Sequence, residues 1–307
     1  MKAIQYLLLG LISALGLLSC YNEDDLTPSD DENIYNGEYT LPQGNHDYDA
    51  DIVDMFKKYE TMFLYKYNPL DIYYNFGSEK YLNGIYNEEK DSTISGMFDV
   101  PSKEVWVGEQ LKLIKELWLG FYPDDFLKKH LPLKVYMVDS VFSATSGKGI
   151  PMQNLKENIL TWSGTDYMLV TYGSERIQHM TSYEKYVYKV LLNVEFMKGL
   201  ILPVPSEFAA VSNYKIFDNV ANKSKIYENG FLGWGNSNTP QDDWMTYVTE
   251  IICTPYKDLV SETGDCNYLN PSKDTKGLIR KKYDMITKYF QTVYEVDLQK
   301  IGDYLAE

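Results

Sequence analysis

Glu195 is the residue in this sequence whose type and surroundings most call for chemistry. It stands inside the apolar run VYKVLLNVEFMKGL, residues 187–200, and glutamate is seldom fully buried without a partner. A helix that holds catalytic zinc presents two histidines at i and i+4, one turn apart on one face. A glutamate directly after the first takes the proton from the metal-bound water. Laid over Glu195, that frame reads Val194-Glu195-Phe196-Met197-Lys198. The base position is kept and both ligand positions, Val194 and Lys198, are lost. A valine offers no lone pair, and a protonated lysine repels a divalent cation. The reading is therefore that Glu195 is vestigial. Val187, Leu191, Val194 and Met197 or Lys198 lie along one helical stripe, Val194 extending its core face. Lys198 pairs with Glu195, Asp242 or Asp243, or a helix-end donor holds Glu195 instead, so that the acid is satisfied without metal.

Other chemistry finds less support. His46, His130 and His179 each lack a histidine at i+4 and read as ordinary surface or satisfied side chains. No G-x-S-x-G elbow for a nucleophilic serine is present. TSGKGIP (145–151) lacks the spacing of a phosphate loop. Asp47, Asp49 and Asp51 alternate as in a calcium loop, but Ile52 and Lys58 stand where such a loop needs glycine and an acid. The 44 acids leave a glycosidase pair open, and nothing singles one out. Cys253 and Cys266 enclose twelve residues. They make a poor zinc site without a nearby histidine, and whether they are joined is left open by the sequence.

The elements that position Glu195 follow from hydrophobic spacing. Helices are expected over 49–65, 108–122, 183–200, 241–253 and 276–298. In the last, Leu278, Ile279, Tyr283, Ile286, Tyr289, Phe290 and Val293 form a stripe. PLKVYMVDS (132–140) reads as a strand opened by proline. Residues 157–163 and 166–173 read as a hairpin turning at Gly164 and Thr165. The segment 81–105 is turn-rich and reads as a surface excursion. Helices, then a small sheet, then helices give an α+β domain, the small mixed sheet packing on several helices. The strand at Met168–Tyr172 is a candidate edge for an extended peptide. Phe231, Trp234 and Trp244 offer aromatic faces on which a sugar or peptide side chain can stack, Trp244 more naturally as core, and their place at a cleft is what the family resemblance described below implies.

Bulk properties set the remaining bounds. An apolar fraction of 44% with 28 tyrosines is enough for a core. A net charge of −15 argues against nucleic acid, which needs a basic surface. Met1-Lys2, the apolar run Tyr6–Leu18 and the small residues before Cys20 read as a secretory signal over 1–19. That run is too short for a comfortable membrane span. Its removal takes one lysine and no acid, so −15 becomes −16. Six acids follow between Glu23 and Glu32, with proline, serine and glycine nearby. Residues 20–45 are accordingly expected to be a solvated tether, and 46–307 a single domain.

Several segments, taken in order over 46–307, carry a resemblance. Leu17-Leu18-Ser19-Cys20 resembles a bacterial lipobox, which implies acylation of Cys20 and a membrane partner through that lipid. The acids after it resemble a surface-export signal, implying the outer face of the outer membrane. LKLIKELWLGFYPDDFLKKHLPLKVYMVDS, the middle of the helix at Glu195-Phe196, PVPSEFAAVSNY, NGFLGWGNSNTPQDDWMTYV and IRKKYDMITKYFQTVYEVDLQKI together resemble the zinc-binding metallopeptidase-like lipoproteins encoded beside starch-utilisation-like outer-membrane uptake systems. Their active helix runs H-E-F-x-H. The resemblance implies a zincin-like fold and, for the family, zinc as cofactor. It aligns Trp244 with the phenylalanine of the family's acid-rich E-D-F-A-E helix, thought to supply the third ligand, and so puts Asp242 and Thr246 at the flanking acid positions, one conservatively kept and one lost; Val194, Lys198 and Asp242 are then the former metal-ligand positions. For this chain it implies no bound metal. It implies a surface lipoprotein without catalysis, with a binding or accessory role toward outer-membrane uptake proteins, and a peptide or glycan as ligand. An active peptidase with unorthodox ligands and a glycan-binding lipoprotein are the alternatives.

Overall fold

The computed structural model describes residues 34–35, 38–68, 71–72, 96–144, 156–158, 162–163, 166–235 and 237–306. The expected signal segment, Cys20, most of the acidic tether, the glycine loop 145–151 and the turn at Gly164 and Thr165 lie outside the described residues.

The fold is α+β. In chain order it runs β1 (Ile34–Tyr35), β2 (Thr40–Leu41), α1 (Asp47–Tyr59), β3 (Met62–Leu64), β4 (Gly96–Pro101), α2 (Glu104–Leu117), α3 (Asp124–His130) and β5 (Lys134–Ala144). There follow β6 (Lys156–Asn158), β7 (Trp162–Ser163), β8 (Tyr167–Val170), α4 (Ser182–Lys198), α5 (Pro240–Cys253), α6 (Leu278–Tyr289) and α7 (Leu298–Asp303). β5 organises the sheet. Its first half pairs in parallel with β3 on one side and β8 on the other. Its second half pairs antiparallel with β4 and β6. β7 adds antiparallel outside β8. Among the described residues no helix is long and apolar enough to cross a membrane.

Several boundaries depart from the periodicity. The helix expected over 49–65 stops at Tyr59, and Glu60 turns the chain in the left-handed region at φ 61°. Met62, Phe63 and Leu64 are buried without alternation, the pattern of a parallel strand, which a short apolar run cannot distinguish from helix. The expected surface excursion ends in a strand, β4. Lys156–Asn158 pairs with β5 rather than turning back onto β8. The helix expected over 276–298 ends its regular α-helical run at Tyr289 and widens into a π turn, Phe290–Tyr294, closed by Glu295 at φ 56°. That turn swings Val293 to the surface and brings in Val296, which is fully buried.

α4 differs most from its reading. Its core face is Tyr188, Leu192, Phe196 and Met197, together with Lys189 and Asn193. Val187, Leu191 and Val194 are only half-buried. The helix is thus turned by about one residue from the expected stripe, and the two polar side chains point inward. They do so because each satisfies main-chain groups that would otherwise be orphaned. Asn193 Nδ2 donates to Leu117 O at the end of α2 (2.8 Å), and its Oδ1 accepts from the Tyr122 hydroxyl (2.8 Å). Lys189 Nζ donates to Ile301 O (2.5 Å) and Tyr304 O (3.0 Å) at the end of α7 and lies 4.3 Å from the Tyr186 ring. Tyr188 locks the same helix to the sheet, donating to Thr171 O (3.0 Å) and accepting from Thr171 N (2.9 Å).

The same device recurs. Gln110 of α2 is fully buried and donates to Val138 O, Val170 O and Thr171 O, where β5 and β8 part. Its Oε1 accepts from the Ser102 hydroxyl (2.7 Å). Gly173 is obligatory at this junction, since a Cβ there would stand 1.8 Å from Ser102 Oγ. Lys282 of α6 is fully buried too. It donates to Gly230 O (2.9 Å) and pairs with the equally buried Asp243 of α5.

Burial drives the Lys189 amine down to about 8 from its ordinary range, because a charge is costly in an apolar setting. Between pH 8 and 10.5 the unfolded chain therefore holds this proton more tightly than the folded one, so stability gains as pH rises through that window and loses as it falls. Chemical denaturation of the wild type and Lys189→Met at pH 8 to 10 should show their stability difference moving in favour of the wild type with pH. The slope is at most about 1.4 kcal/mol per pH unit. Parallel curves would show that the folded amine keeps its proton over this range, as the unfolded one does.

Candidate functional site

The C-terminal half of α4 lines a cleft of about 330 Å³. Its walls come from three places: the end of α3 and the linker after it (His130 to Leu133), the start of β8 (Asp166, Tyr167, Met168), and the end of α4 (Glu195, Phe196, Gly199, Leu200). Glu195 is half-buried on this wall and not in the core. An acid in the apolar run is accommodated because the helix face that carries it borders a cleft.

Aromatic packing fixes the geometry. Phe196, next to Glu195, packs edge-on against Trp118 (5.3 Å), Tyr122 (5.1 Å) and Phe126 (6.2 Å). Phe126 in turn stands 4.5 Å from the His130 ring, with Tyr294 beyond it at 6.3 Å. One cluster thus holds α4 and α3 together and sets Glu195 and His130 on the same cleft. At the other wall, Lys134 N donates to Asp166 O (3.2 Å), which anchors the start of β8 to β5.

His130 Nε2 and Asp166 Oδ1 are both buried and have no hydrogen-bond partner among the described residues. Burial, with the adjacent Lys129 charge second, pushes the His130 imidazole below its ordinary value, so it is neutral at neutral pH. Sequence spacing pointed to neither residue. His130 was expected to be an ordinary histidine because nothing complements it within one turn, and its cleft neighbours are 36 and 65 positions away in the chain.

Other expected site residues fall elsewhere. Met168 lines the cleft, but β8 is flanked by β5 and β7 and is not an edge at that point. Tyr172 is buried against Tyr188 (4.8 Å) with Arg176 over its face (5.4 Å). Trp234 packs on Phe217 (5.1 Å) in a separate cluster with Phe231. Trp244 is fully buried against Phe208 and Phe290. Neither Tyr172 nor Trp234 lines the cleft.

The expected pairing of Lys198 does not form. Lys198 is exposed and makes no ion pair among the described residues. Asp243 belongs to Lys282 and also accepts from the Tyr214 hydroxyl (2.8 Å). Asp242 is exposed at the first turn of α5, where its side chain accepts from Thr239 Oγ1 (2.7 Å). A lysine in the last turn of a helix gains from the dipole and from solvation without any acid, which is why the partner is dispensable. His46 is occupied in capping α1 through Asp49, and His179 is exposed. Cys253 and Cys266 are both free thiols, and burial pushes Cys253 up to about 11.

The donor set does not suit zinc. Val194 and Lys198 flank Glu195 without a ligand atom between them. Among the described residues no three His, Cys, Asp or Glu side chains converge closely enough to hold one ion. His130, Asp166 and Glu195 share the cleft but are spread around it. What the arrangement offers is a small groove with apolar walls and a few hydrogen-bonding groups, the usual make-up of a ligand site.

An exposed lysine without a partner contributes little. Lys198→Ala should change unfolding stability by no more than about 0.5 kcal/mol. A loss of 2 kcal/mol or more (roughly the cost of stranding a half-buried charge) would restore the Glu195–Lys198 pair.

Residues 65–299 match the model of a family described as "Putative zinc-binding metallo-peptidase". No curated protein matches the chain. A solved structure, a putative zinc-binding metallo-peptidase from Bacteroides caccae ATCC 43185, is similar at 15% identity with a TM-score of 0.40, over 77% of this chain and 91% of that one. The family model spans most of the chain, including the helix of Glu195, and the chain belongs to this zinc-binding metallo-peptidase family.

Proposed function

We propose that this chain is a non-catalytic member of its family: a surface lipoprotein, anchored through Cys20, whose peptidase cleft serves binding in an outer-membrane nutrient-uptake complex. One observation carries the reading. At the two ligand positions one turn apart on α4 stand a valine and an exposed lysine, while Glu195 between them still lines a cleft. Loss of the ligands with retention of the cleft favours binding over hydrolysis. Zinc peptidases draw both the nucleophile and the stabilisation of its charge from the metal, so a glutamate without ligands has no water to activate. The acid-rich tether and the charge of −15 fit a solvated leash and argue against nucleic acid as a partner.

Metal content of the full chain, purified without chelators, tests the core of this proposal. The expected result is no stoichiometric zinc and no heat on zinc titration. The double substitution Val194→His and Lys198→His, which rebuilds the i, i+4 pair, should then gain measurable zinc binding, with Glu195 unchanged. One tightly held zinc per wild-type chain would overturn the reading and return the chain to the active peptidases. The anchor is tested separately. Cys20→Ser should shift the protein from the membrane fraction to the soluble one, and protease applied to intact cells should degrade the wild type. Retention of the serine variant in the membrane would remove the lipid anchor from the proposal.

A further inference from the structure

The cleft beside Glu195 has a chemical bias that its family membership does not specify. Its described lining carries two carboxylates, Asp166 and Glu195, and neither lysine nor arginine. Asp166 Oδ1 is buried and accepts from nothing among the described residues. His130 Nε2 is a second buried polar atom without a hydrogen-bond partner among the described residues, and on the neutral ring it accepts when the proton is on Nδ1. Acceptors gathered in one groove call for a ligand that only donates, and the donor-only side-chain groups are ammonium and guanidinium. A small inorganic cation is the poorer fit, because no three of these ligating groups converge on one point. A larger cation with several N–H directions spans such a spread.

The walls describe the rest of the ligand. Tyr167, Met168, Phe196 and Leu200 are apolar lining of the same groove, suited to an aliphatic stem. Outside it, Leu133 is 65% exposed and Ile201, next in the chain to Leu200, is 98% exposed. Two large aliphatic side chains beside an acidic groove are the shoulders that neighbouring residues of a bound chain would cover.

We infer that the cleft binds a peptide through a basic side chain, arginine or lysine, with its stem against Met168 and Phe196 and its charged head between Asp166 and Glu195. This rests on the reading that the former catalytic cleft is a binding site, and names the ligand class. The Asp166 carboxylate is its principal partner, since a buried, unsatisfied acceptor gains most from a charged donor. Arginine is the better occupant, because its planar fork reaches two acceptors at once.

Calorimetric titration of the full chain with two capped pentapeptides tests this. They are Ala-Ala-Arg-Ala-Ala and the same sequence with citrulline, which keeps the shape and removes the charge; agmatine serves as a free guanidinium. The arginine peptide should bind about tenfold or more tighter than the citrulline peptide, the scale of a charge-assisted hydrogen bond. Asp166→Asn should abolish that preference while far-ultraviolet circular dichroism stays unchanged. If that variant does not fold, Glu195→Gln, on the half-exposed helix face, should weaken the preference in the same direction. Equal binding of both peptides would overturn the basic-residue assignment alone and leave a binding cleft. Agmatine binding as tightly as the peptide would remove the peptide from it. A preference for arginine indifferent to Asp166 and Glu195 would place the site elsewhere. No binding of any probe would overturn both this inference and the binding role of the cleft.

Discussion

Four fully buried side chains, Gln110, Lys189, Asn193 and Lys282, hold the elements together by donating to main-chain carbonyls of other elements. Strands that diverge and helices that stop leave carbonyls without partners, and inside a protein each such orphan is costly. In this chain long polar side chains reach carbonyls at such places directly, at Val138, Thr171 and Gly230 beside a second donor: Gly173 N, the Tyr188 hydroxyl and the Tyr247 hydroxyl. Gln110 closes the fork between β5 and β8, Asn193 the end of α2, Lys189 the end of α7, and Lys282 the bend at Gly230. The cost appears in the amines: burial pulls both Lys189 and Lys282 below their ordinary range. Only Lys282 has a carboxylate in the same pocket to offset it.

This arrangement decides where the cleft is. With Lys189 and Asn193 turned inward, α4 has to present the face of Val187, Leu191 and Val194 outward, and Glu195 comes with it to the cleft wall. Phe196, on the inward side, joins the aromatic cluster that reaches His130 through Phe126. The groove between α4, α3 and β8 is therefore a by-product of core satisfaction, and its acidity follows from which residues happen to border it. The helix face that carries Glu195 borders this groove, with Phe196 buried behind it.

The sequence allowed much of this to be read. The α+β class, the existence of the long helices among the described residues and the strand around Val135 follow from spacing and motif. Boundaries went wrong where two structures share one signal: the buried strand Met62–Leu64 read as the end of a helix, and the π turn at Phe290–Tyr294 read as uninterrupted helix. The rotation of α4 was misread because hydrophobic spacing assumes that lysine and asparagine face water. Tyr172 packs against Tyr188 within the main core and Trp234 in the separate cluster of Phe231, and neither is among the described cleft lining.

By itself the sequence determined the chemistry absent from α4. A valine at 194 and a lysine at 198 cannot coordinate zinc in the family's manner, whatever the surrounding fold. It also determined the net charge of −15. Tertiary structure alone decided the content of the site. His130, Asp166 and Glu195 come from α3, β8 and α4, and no local pattern connects residues whose meeting is set by how a helix end, a strand start and a second helix pack. It decided as well that Glu195 borders a groove and that Lys198 stays in solvent. The physical reason is the same in both cases: which face of a helix is buried depends on what its polar residues find to bond inside, and those partners belong to distant parts of the chain.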